Sequence, residues 1–382
     1  MRRRWVVGTI LTVMGMLLIT AGLSIKQTLT APGSDGTSVR LAEWGRDHGL
    51  GPVVTLAESI QYRLHPPASG GTPDMTVLEA AVQGTTTTVS RHHALRSGAV
   101  PVRPPMPTPD SPALPGEGVF VPVASGTNGN LVQTSHVRPD SVHTSYLTGV
   151  AWMSHLDRFV LHPGYTEPGA QHHWTEPDSL SGAALTGLLA TFNGGFKLAD
   201  AKGGYYDHGQ TAGTLTDGAA SFVIYRDGHA TVGTWGRDVR MGPGVAFVRQ
   251  NLKPLVTGGV VASNANSNVE SNWGATVGGD VAVWRSGVGV TAQGDIVYAT
   301  GDALTVKALA GILQRAGAVT AMQLDINRTW VSYMTYRHHG NGVTAHKLAD
   351  FQRPAMRYLQ PTSRDFIAVY APGPHGQAVG AA

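Results

Sequence analysis

Thr191-Phe192-Asn193-Gly194-Gly195-Phe196 and Met322-Gln323-Leu324-Asp325 are two places where an apolar run ends in polar residues. Leu188 to Phe192 lead into Asn193 and a pair of glycines, and Ala318 to Leu324 lead into Asp325. Both read as buried strands that open into a turn. Glycine lets the backbone take positive φ and lets a ligand come close. A polar side chain at the end of a rigid strand is a common placement for a reactive group. The same residues also build plain tight turns, so each segment alone admits a structural reading.

Working outward, short branched or aromatic runs recur from Gly118 onward: Val119 to Val123, Val150 to Met153, Arg158 to His162, Ser221 to Tyr225, His229 to Gly233, Val281 to Arg285, Gly287 to Thr291 and Asp295 to Tyr298. Arg226-Asp227-Gly228-His229 and Ala292-Gln293-Gly294-Asp295 join neighbouring runs as hairpins. Two helices are expected, Leu180 to Ala190 and Leu304 to Ala316, the second stopped by Gly317. The fold class is therefore α/β of the α+β kind: a mixed, largely antiparallel sheet with packed helices. No repeat is visible.

Between the two strand ends lie Gly203-Gly204-Tyr205-Tyr206-Asp207, Trp235-Gly236-Arg237-Asp238, Val248-Arg249-Gln250-Asn251-Leu252 and Trp284-Arg285-Ser286-Gly287-Val288-Gly289. As an ordered set, over roughly residues 118–335, these segments resemble the phosphodiester glycosidase family. The matching features are Asn-Gly-Gly-aromatic at Asn193 to Phe196, an Arg leading into a glycine-bearing strand pair at Arg285 to Tyr298, a helix ending in Gly-Ala at Leu304 to Ala318, and Leu324-Asp325. The resemblance implies a hydrolase of phosphodiester-linked sugars, in a bacterial, membrane-anchored branch. Two departures stand out. Ile326-Asn327-Arg328-Thr329-Trp330 replaces the family's glycines and serine after Leu-Asp, and Lys197 stands where a second aromatic is common.

Glycosidic cleavage usually needs paired carboxylates. A phosphodiester leaves readily as an anion, so cationic and amide donors that hold phosphate oxygens gain value. Asp325 is the first candidate, as the carboxylate near the reacting sugar carbon. Asn193 follows as a donor to sugar or phosphate, and Asp207 (with His208) as an acid or base. Arg285 is the candidate phosphate clamp, with Gly194, Gly195, Lys197, Arg249, Arg237, Asp238 and Trp330 as further binding residues; Asp280 is a fourth carboxylate on these segments. Each also has a structural reading, as turn cap or salt bridge. A noncatalytic carbohydrate-binding or cell-envelope structural domain on the same fold is the rival, with Trp330 and Tyr333 stacking on sugar. The adjacent pairs His172-His173 and His338-His339 would point to opposite strand faces, so no metal site is expected. No nucleotide-binding glycine loop or Gly-x-Ser-x-Gly elbow occurs, and no cofactor is expected.

The chain has 382 residues, 14% of them charged, and no cysteine, which excludes disulfides and thiolate metal sites. Arg2, Arg3 and Arg4 account for the whole net charge of +3, so the remainder is not a basic nucleic-acid binder. Trp5 to Ile25 contains no charged residue. As a helix it would span ~30 Å, a bilayer core. The run exceeds an ordinary signal-peptide core and no Ala-x-Ala site follows, so an uncleaved anchor is expected, its basic end cytoplasmic and the main domain extracytoplasmic. The organisation expected is a basic N-terminus (1–4), anchor (5–25), linker and juxtamembrane helix (26–65, broken near Gly49 to Pro52), Pro/Thr/Gly-rich linker (66–115), main domain (116–370) and flexible tail (371–382). The second linker includes the solvated cluster Arg91-His92-His93 with Arg96.

Overall fold

The computed structural model describes residues 2–89, 99–169, 172–266, 270–274, 282–340 and 342–373. Asp280, the Arg91 to Arg96 cluster and most of the 371–382 tail lie outside them. Helices α1 (Arg2–Leu29), α2 (Thr37–Asp47), α3 (Gly51–Leu64) and α4 (Met75–Val89) precede the sheets. Strands β1 (Val121–Gly126), β2 (Gly129–Val137), β3 (Thr148–Met153), β4 (Arg158–His162) and β5 (Leu188–Asn193) follow. After the short helix α5 (Leu198–Ala201) come β6 (Tyr205–Asp207), β7 (Gln210–Ala212), β8 (Ala220–Tyr225), β9 (Ala230–Thr234), β10 (Val245–Gln250), β11 (Pro254–Thr257) and β12 (Val260–Val261). The short α6 (Glu270–Trp273) leads to β13 (Val283–Thr291), β14 (Ile296–Leu304), α7 (Val306–Arg315), β15 (Ala318–Gln323), β16 (Tyr333–His339), β17 (Gly342–Lys347) and β18 (Phe366–Tyr370).

Three sheets form, with strand orders β1-β2-β3-β14-β13-β15-β11-β12, β7-β6-β10-β8-β9 and β17-β16-β5-β18-β4. Neighbouring strands pair antiparallel. Side chains alternate across the large sheet, as a two-residue period requires. Val150, Trp152, Val297 and Ala299 pack toward α7, together with Leu309, Ile312 and Leu313. Ala151, Met153, Ile296, Tyr298 and Met322 point the other way, onto Phe192, Tyr333 and Phe366 of the β5 sheet. The ends of β5, β15, β13 and β18 therefore meet on one side of the central core.

Helix α7 starts where expected: Thr305 is its N-cap, its side chain accepting from the Ala308 N–H at 3.0 Å. The expected helix over Leu180 to Ala190 does not form. Gly182 and Gly187 take φ of 54° and 72°, leaving a single 3-10 turn at Gly182–Leu185 before β5 begins. Val281 to Arg285 and Gly287 to Thr291 were expected as separate runs; from Val283 on they are one strand, β13.

Much of the 66–115 stretch, expected as a linker, is packed. It holds α4, whose Leu78 is fully buried, and Val100 and Met106 enter the core. Prolines cannot donate, but the residues between them keep their N–H. The Val100 N–H donates to Asn128 O and the Met106 N–H to Gly118 O. The Gln133 side chain holds the Arg103 N–H and the Pro101 carbonyl.

At the N-terminus α1 and α2 form an elbow, and α3 follows the expected break. Arg40 of α2 donates from Nε to Asp35 O (2.7 Å), from Nη1 to Thr28 O (3.1 Å) and from Nη2 to Gly33 O (3.0 Å), reaching the last carbonyls of α1. The Trp44 indole donates to Ser24 Oγ at 2.9 Å. The expected span Trp5 to Ile25 lies within α1, though the side chains of residues 1–13 are not among those described. Among the described residues, no helix is long and apolar enough to cross a membrane.

Gly287 sets the distance of α7 from the sheet. A Cβ there would stand 2.9 Å from Met322 O, 3.0 Å from Leu313 Cδ1 and 3.2 Å from Leu309 Cδ2. Gly287→Ala is expected to destabilise the domain by about 1–3 kcal/mol through overpacking, read as a lower urea midpoint. An unchanged midpoint would mean that α7 can move away without cost.

Candidate active site

Asn193 ends β5 and Asp325 follows β15. Ser286 of β13 joins them: its Oγ accepts from Asn193 Nδ2 at 3.1 Å and from the Asp325 N–H at 3.1 Å. The backbone locks the same junction, Ser286 N–H donating to Asp325 O and Leu324 N–H to Ser286 O, each at 2.8 Å. The two strand ends singled out in the sequence thus belong to one network.

Asn193 is nevertheless an anchor rather than a ligand donor. Its Nδ2 donates to Gly194 O (2.8 Å) as well as to Ser286, and its Oδ1 accepts from Tyr298 Oη (2.8 Å) and the Ser332 N–H (3.1 Å). Two donors and two lone pairs are the amide's full capacity. The expected hydrogen bond from Asn193 to sugar or phosphate has no proton left to use.

Gly194 is glycine because of Asp365. The Gly194 N–H donates to Asp365 O at 3.0 Å, and a Cβ on Gly194 would lie 2.0 Å from Asp365 Oδ2. Asp365 pairs with Arg249, Nε to Oδ2 at 2.8 Å, both side chains 1% exposed. Arg249 also donates to the carbonyls of Gln250 and Phe196. It is a buried brace under Gly194 and Gly195, and the ligand role expected for it does not hold.

Arg285 likewise faces away. It is fully buried on the α7 side of β13, donating from Nε to Leu304 O (2.7 Å) and from Nη1 to Gln323 Oε1 (3.0 Å). Strand alternation puts its neighbour Ser286 at the site and Arg285 on the opposite face. The phosphate-clamp expectation for Arg285 is corrected on that ground.

Arg237 and Asp238 form an exposed pair on the turn after β9, where Asp238 also accepts from the Thr234 N–H. Asp207 is buried and accepts from the Thr175 N–H (2.7 Å), Thr175 Oγ (2.6 Å) and His208 Nδ1 (2.7 Å). These contacts are local to the β6–β7 hairpin and the Thr175 loop, not to the Asp325 network. Beside it, burial and then the charge of Asp207 push Glu176 up to about 7.

Trp330 and Tyr333 are buried at 3% and 0%, which removes the stacking platform of the carbohydrate-binding alternative. Trp330 instead carries three guanidinium groups, Arg353, Arg364 and Arg357, at 4.8, 5.1 and 5.7 Å.

Arg364 is the site residue that sequence reading missed. Its Nη2 donates to Gly195 O at 3.2 Å and lies 3.5 Å from Asp325 Oδ2. Its signal was the pattern used for Asn193 and Asp325 in reverse: Ser363-Arg364-Asp365 immediately before the apolar run Phe366 to Tyr370. Asp325 Oδ1 accepts from the N–H groups of Ile326 (2.8 Å) and Asn327 (2.9 Å). Burial pushes the Asp325 carboxyl up to about 6; Arg364 and the two N–H groups oppose the shift, and Glu43 adds to it. Lys197, next to the Gly-Gly-Phe turn, sits 2.7 Å from both Glu43 and Asp47 of α2.

The site thus pairs one carboxyl, raised by burial to about 6, with cations on the rim of a glycine turn. Residues 186–325, which hold both strand ends, match the family model for phosphodiester glycosidase. The match spans 140 of the chain's 382 residues. Among solved structures, the catalytic domain of zebrafish N-acetylglucosamine-1-phosphodiester alpha-N-acetylglucosaminidase, auto-inhibited by its pro-peptide, is similar at 16% identity with a TM-score of 0.42, over 66% of this chain and 87% of that one. A hypothetical protein from Synechocystis is similar at 11% identity and TM-score 0.35, over 64% and 62% of the two chains. A putative exported protein from Burkholderia pseudomallei is similar at 11% identity and TM-score 0.30, over 59% and 74%. No curated protein matches the chain. Arg364 and Asp365 lie outside the matched residues, yet they complete the site.

Two outcomes follow from this geometry. Asp365→Ala leaves the Arg249 guanidinium buried without its counter-ion, and is expected to cost about 3–5 kcal/mol in urea unfolding. Asp325 has a folded value near 6 against an ordinary 3.8, so the folded protein keeps a proton that the unfolded chain releases. Its contribution to stability is complete below about pH 4 and is lost as the pH rises through about 6. The stability of the parent minus that of Asp325→Asn should fall across this window by on the order of 2–3 kcal/mol and then stay level. A difference that does not vary with pH would refute the raised carboxyl.

Proposed function

We propose that this protein hydrolyses glycosyl phosphodiesters, with Asp325 as general base and Arg364 and Lys197 as the cationic groups that receive the phosphate. The observation that carries the reading is the placement of Asp325 Oδ2 3.5 Å from Arg364 Nη2 at the glycine turn, inside a domain of phosphodiester glycosidase type. Water attacks the anomeric carbon and gives a proton to the Asp325 carboxylate. The bond from that carbon to the phosphate oxygen breaks, and its electron pair leaves with the phosphomonoester. Phosphate is a good leaving group as an anion, so no second carboxylic acid is required. A base titrating near 6 is largely ionised at neutral pH while still able to accept a proton.

Envelope or extracellular glycans carrying sugar-1-phosphate links are the proposed substrates. We place the catalytic domain outside the cytoplasmic membrane, with α1 as its anchor, Arg2 to Arg4 inside, and no nucleic acid as partner. The uncharged run Trp5 to Ile25 behind three arginines supports this placement. Retention in the membrane pellet after alkaline carbonate washing, with protease access to the domain from outside, is the expected result; release by the wash would remove the anchor.

The chemical test is sugar release from a panel of sugar-1-phosphodiesters by the full chain. The rate should rise with pH through about 6, as Asp325 ionises, and Asp325→Asn should lower kcat by about 100-fold or more. Release that persists in a folded Asp325→Asn protein would overturn the assignment of the base. No release from any diester would overturn the hydrolase reading.

A further inference from the structure

Helix α2 lays its acidic residues on the cationic rim of the site. Glu43 Oε2 and Asp47 Oδ1 each stand 2.7 Å from Lys197 Nζ. Eight residues before Glu43, Asp35 pairs with Arg353 and accepts from Ser363 Oγ at 2.9 Å. Burial pushes the Glu43 carboxyl up, but the charges of Arg364 and then Lys197 outweigh it and hold it below the usual carboxylate range. Glu43 therefore stays ionised, its Oε2 on Lys197 Nζ and its Oε1 3.0 Å from Arg46 Nη1 of the same helix, with the Arg364 charge near enough to stabilise it. The fit is incomplete: among the described residues Arg364 Nε is buried without a hydrogen-bond partner, on a residue only 7% exposed.

We propose that Lys197 and Arg364 form the subsite for the substrate's phosphate group, and that Glu43 of α2 occupies it until phosphate displaces the helix. The inference rests on the hydrolase reading given above. Carboxylate and phosphate are both oxyanions that a guanidinium can bind through its fork of N–H groups. Phosphate offers more oxygens around one centre, enough for Lys197 Nζ, Arg364 Nη2 and the unmatched Arg364 Nε together. Lys197 stands where the resemblance leads one to expect an aromatic ring, so this cation and its acidic partners on α2 are features of this chain. Substrate and α2 then compete for one place, and the helix sets how readily anions enter.

The test is calorimetric titration of the full chain with inorganic phosphate, for the parent, Glu43→Gln and Glu43→Gln with Lys197→Met. Glu43→Gln should bind phosphate about tenfold more tightly than the parent, and the added Lys197→Met should reverse the gain. Phosphate should also speed hydrogen exchange over residues 37–47 of the parent chain. Equal phosphate affinity in the parent and Glu43→Gln, or affinity in the double variant equal to that of Glu43→Gln, would overturn the proposal. Should Glu43→Gln fail to fold, Asp47→Asn weakens the same clamp and takes its place. Tighter phosphate binding without sugar release from any diester would support the subsite while overturning the hydrolase reading, so the two claims fail separately.

Discussion

The ion pair between Arg249 and Asp365, sealed from solvent, is the constraint around which the site is built. A buried guanidinium is tolerable only when its charge and its N–H groups are matched. Asp365 supplies the charge, and the carbonyls of Gln250 and Phe196 take further protons. That arrangement fixes the backbone of Phe196 from below and leaves no room for a side chain on Gly194. The turn is therefore held by electrostatics from β10 and the start of β18, two segments far from it in sequence. Asp325 and Arg364 take their positions on top of this platform.

The large sheet contributes differently on its two faces. Toward α7 it buries apolar side chains and the Arg285–Gln323 brace. Toward the β5 sheet it presents Ser286 and Tyr298, which saturate Asn193 and tie it to Asp325. Residues adjacent in sequence, Arg285 and Ser286, thus have unrelated roles because a strand sends successive side chains to opposite sides.

The same alternation explains what could be read from sequence and what could not. The strand ends at Asn193 and Asp325, the hairpin turns and α7 are local patterns of hydrophobicity and breakers, and they are visible without a structure. The helix expected over Leu180 to Ala190 failed because its apolar spacing outweighed Gly182 and Gly187 in the reading, whereas positive φ at both outweighs spacing in the chain. The 66–115 stretch looked too poor in apolar residues to pack, yet Leu78 is fully buried, and Val100 and Met106 join the core cluster on the α7 side of the large sheet. Arg249, Arg285 and Trp330 were chosen by residue type, and type does not reveal that a side chain is buried and spent on its neighbours. Glu43 was invisible because it meets the site only through long-range packing, whereas Arg364 stood at the entry to an apolar run, the reverse of the strand-end pattern used for Asn193 and Asp325.

The clasp made by Arg40 gives the N-terminal elbow a mechanical character. One side chain on α2 satisfies carbonyls at Thr28 and Gly33 as well as Asp35, so the end of α1, the turn and the start of α2 are stapled into one piece. Lifting α2 alone would strand several carbonyls at once. The low-cost movement is a swing of the whole elbow, and a pull or tilt applied to α1 arrives at Glu43 as leverage rather than being lost in a slack tether.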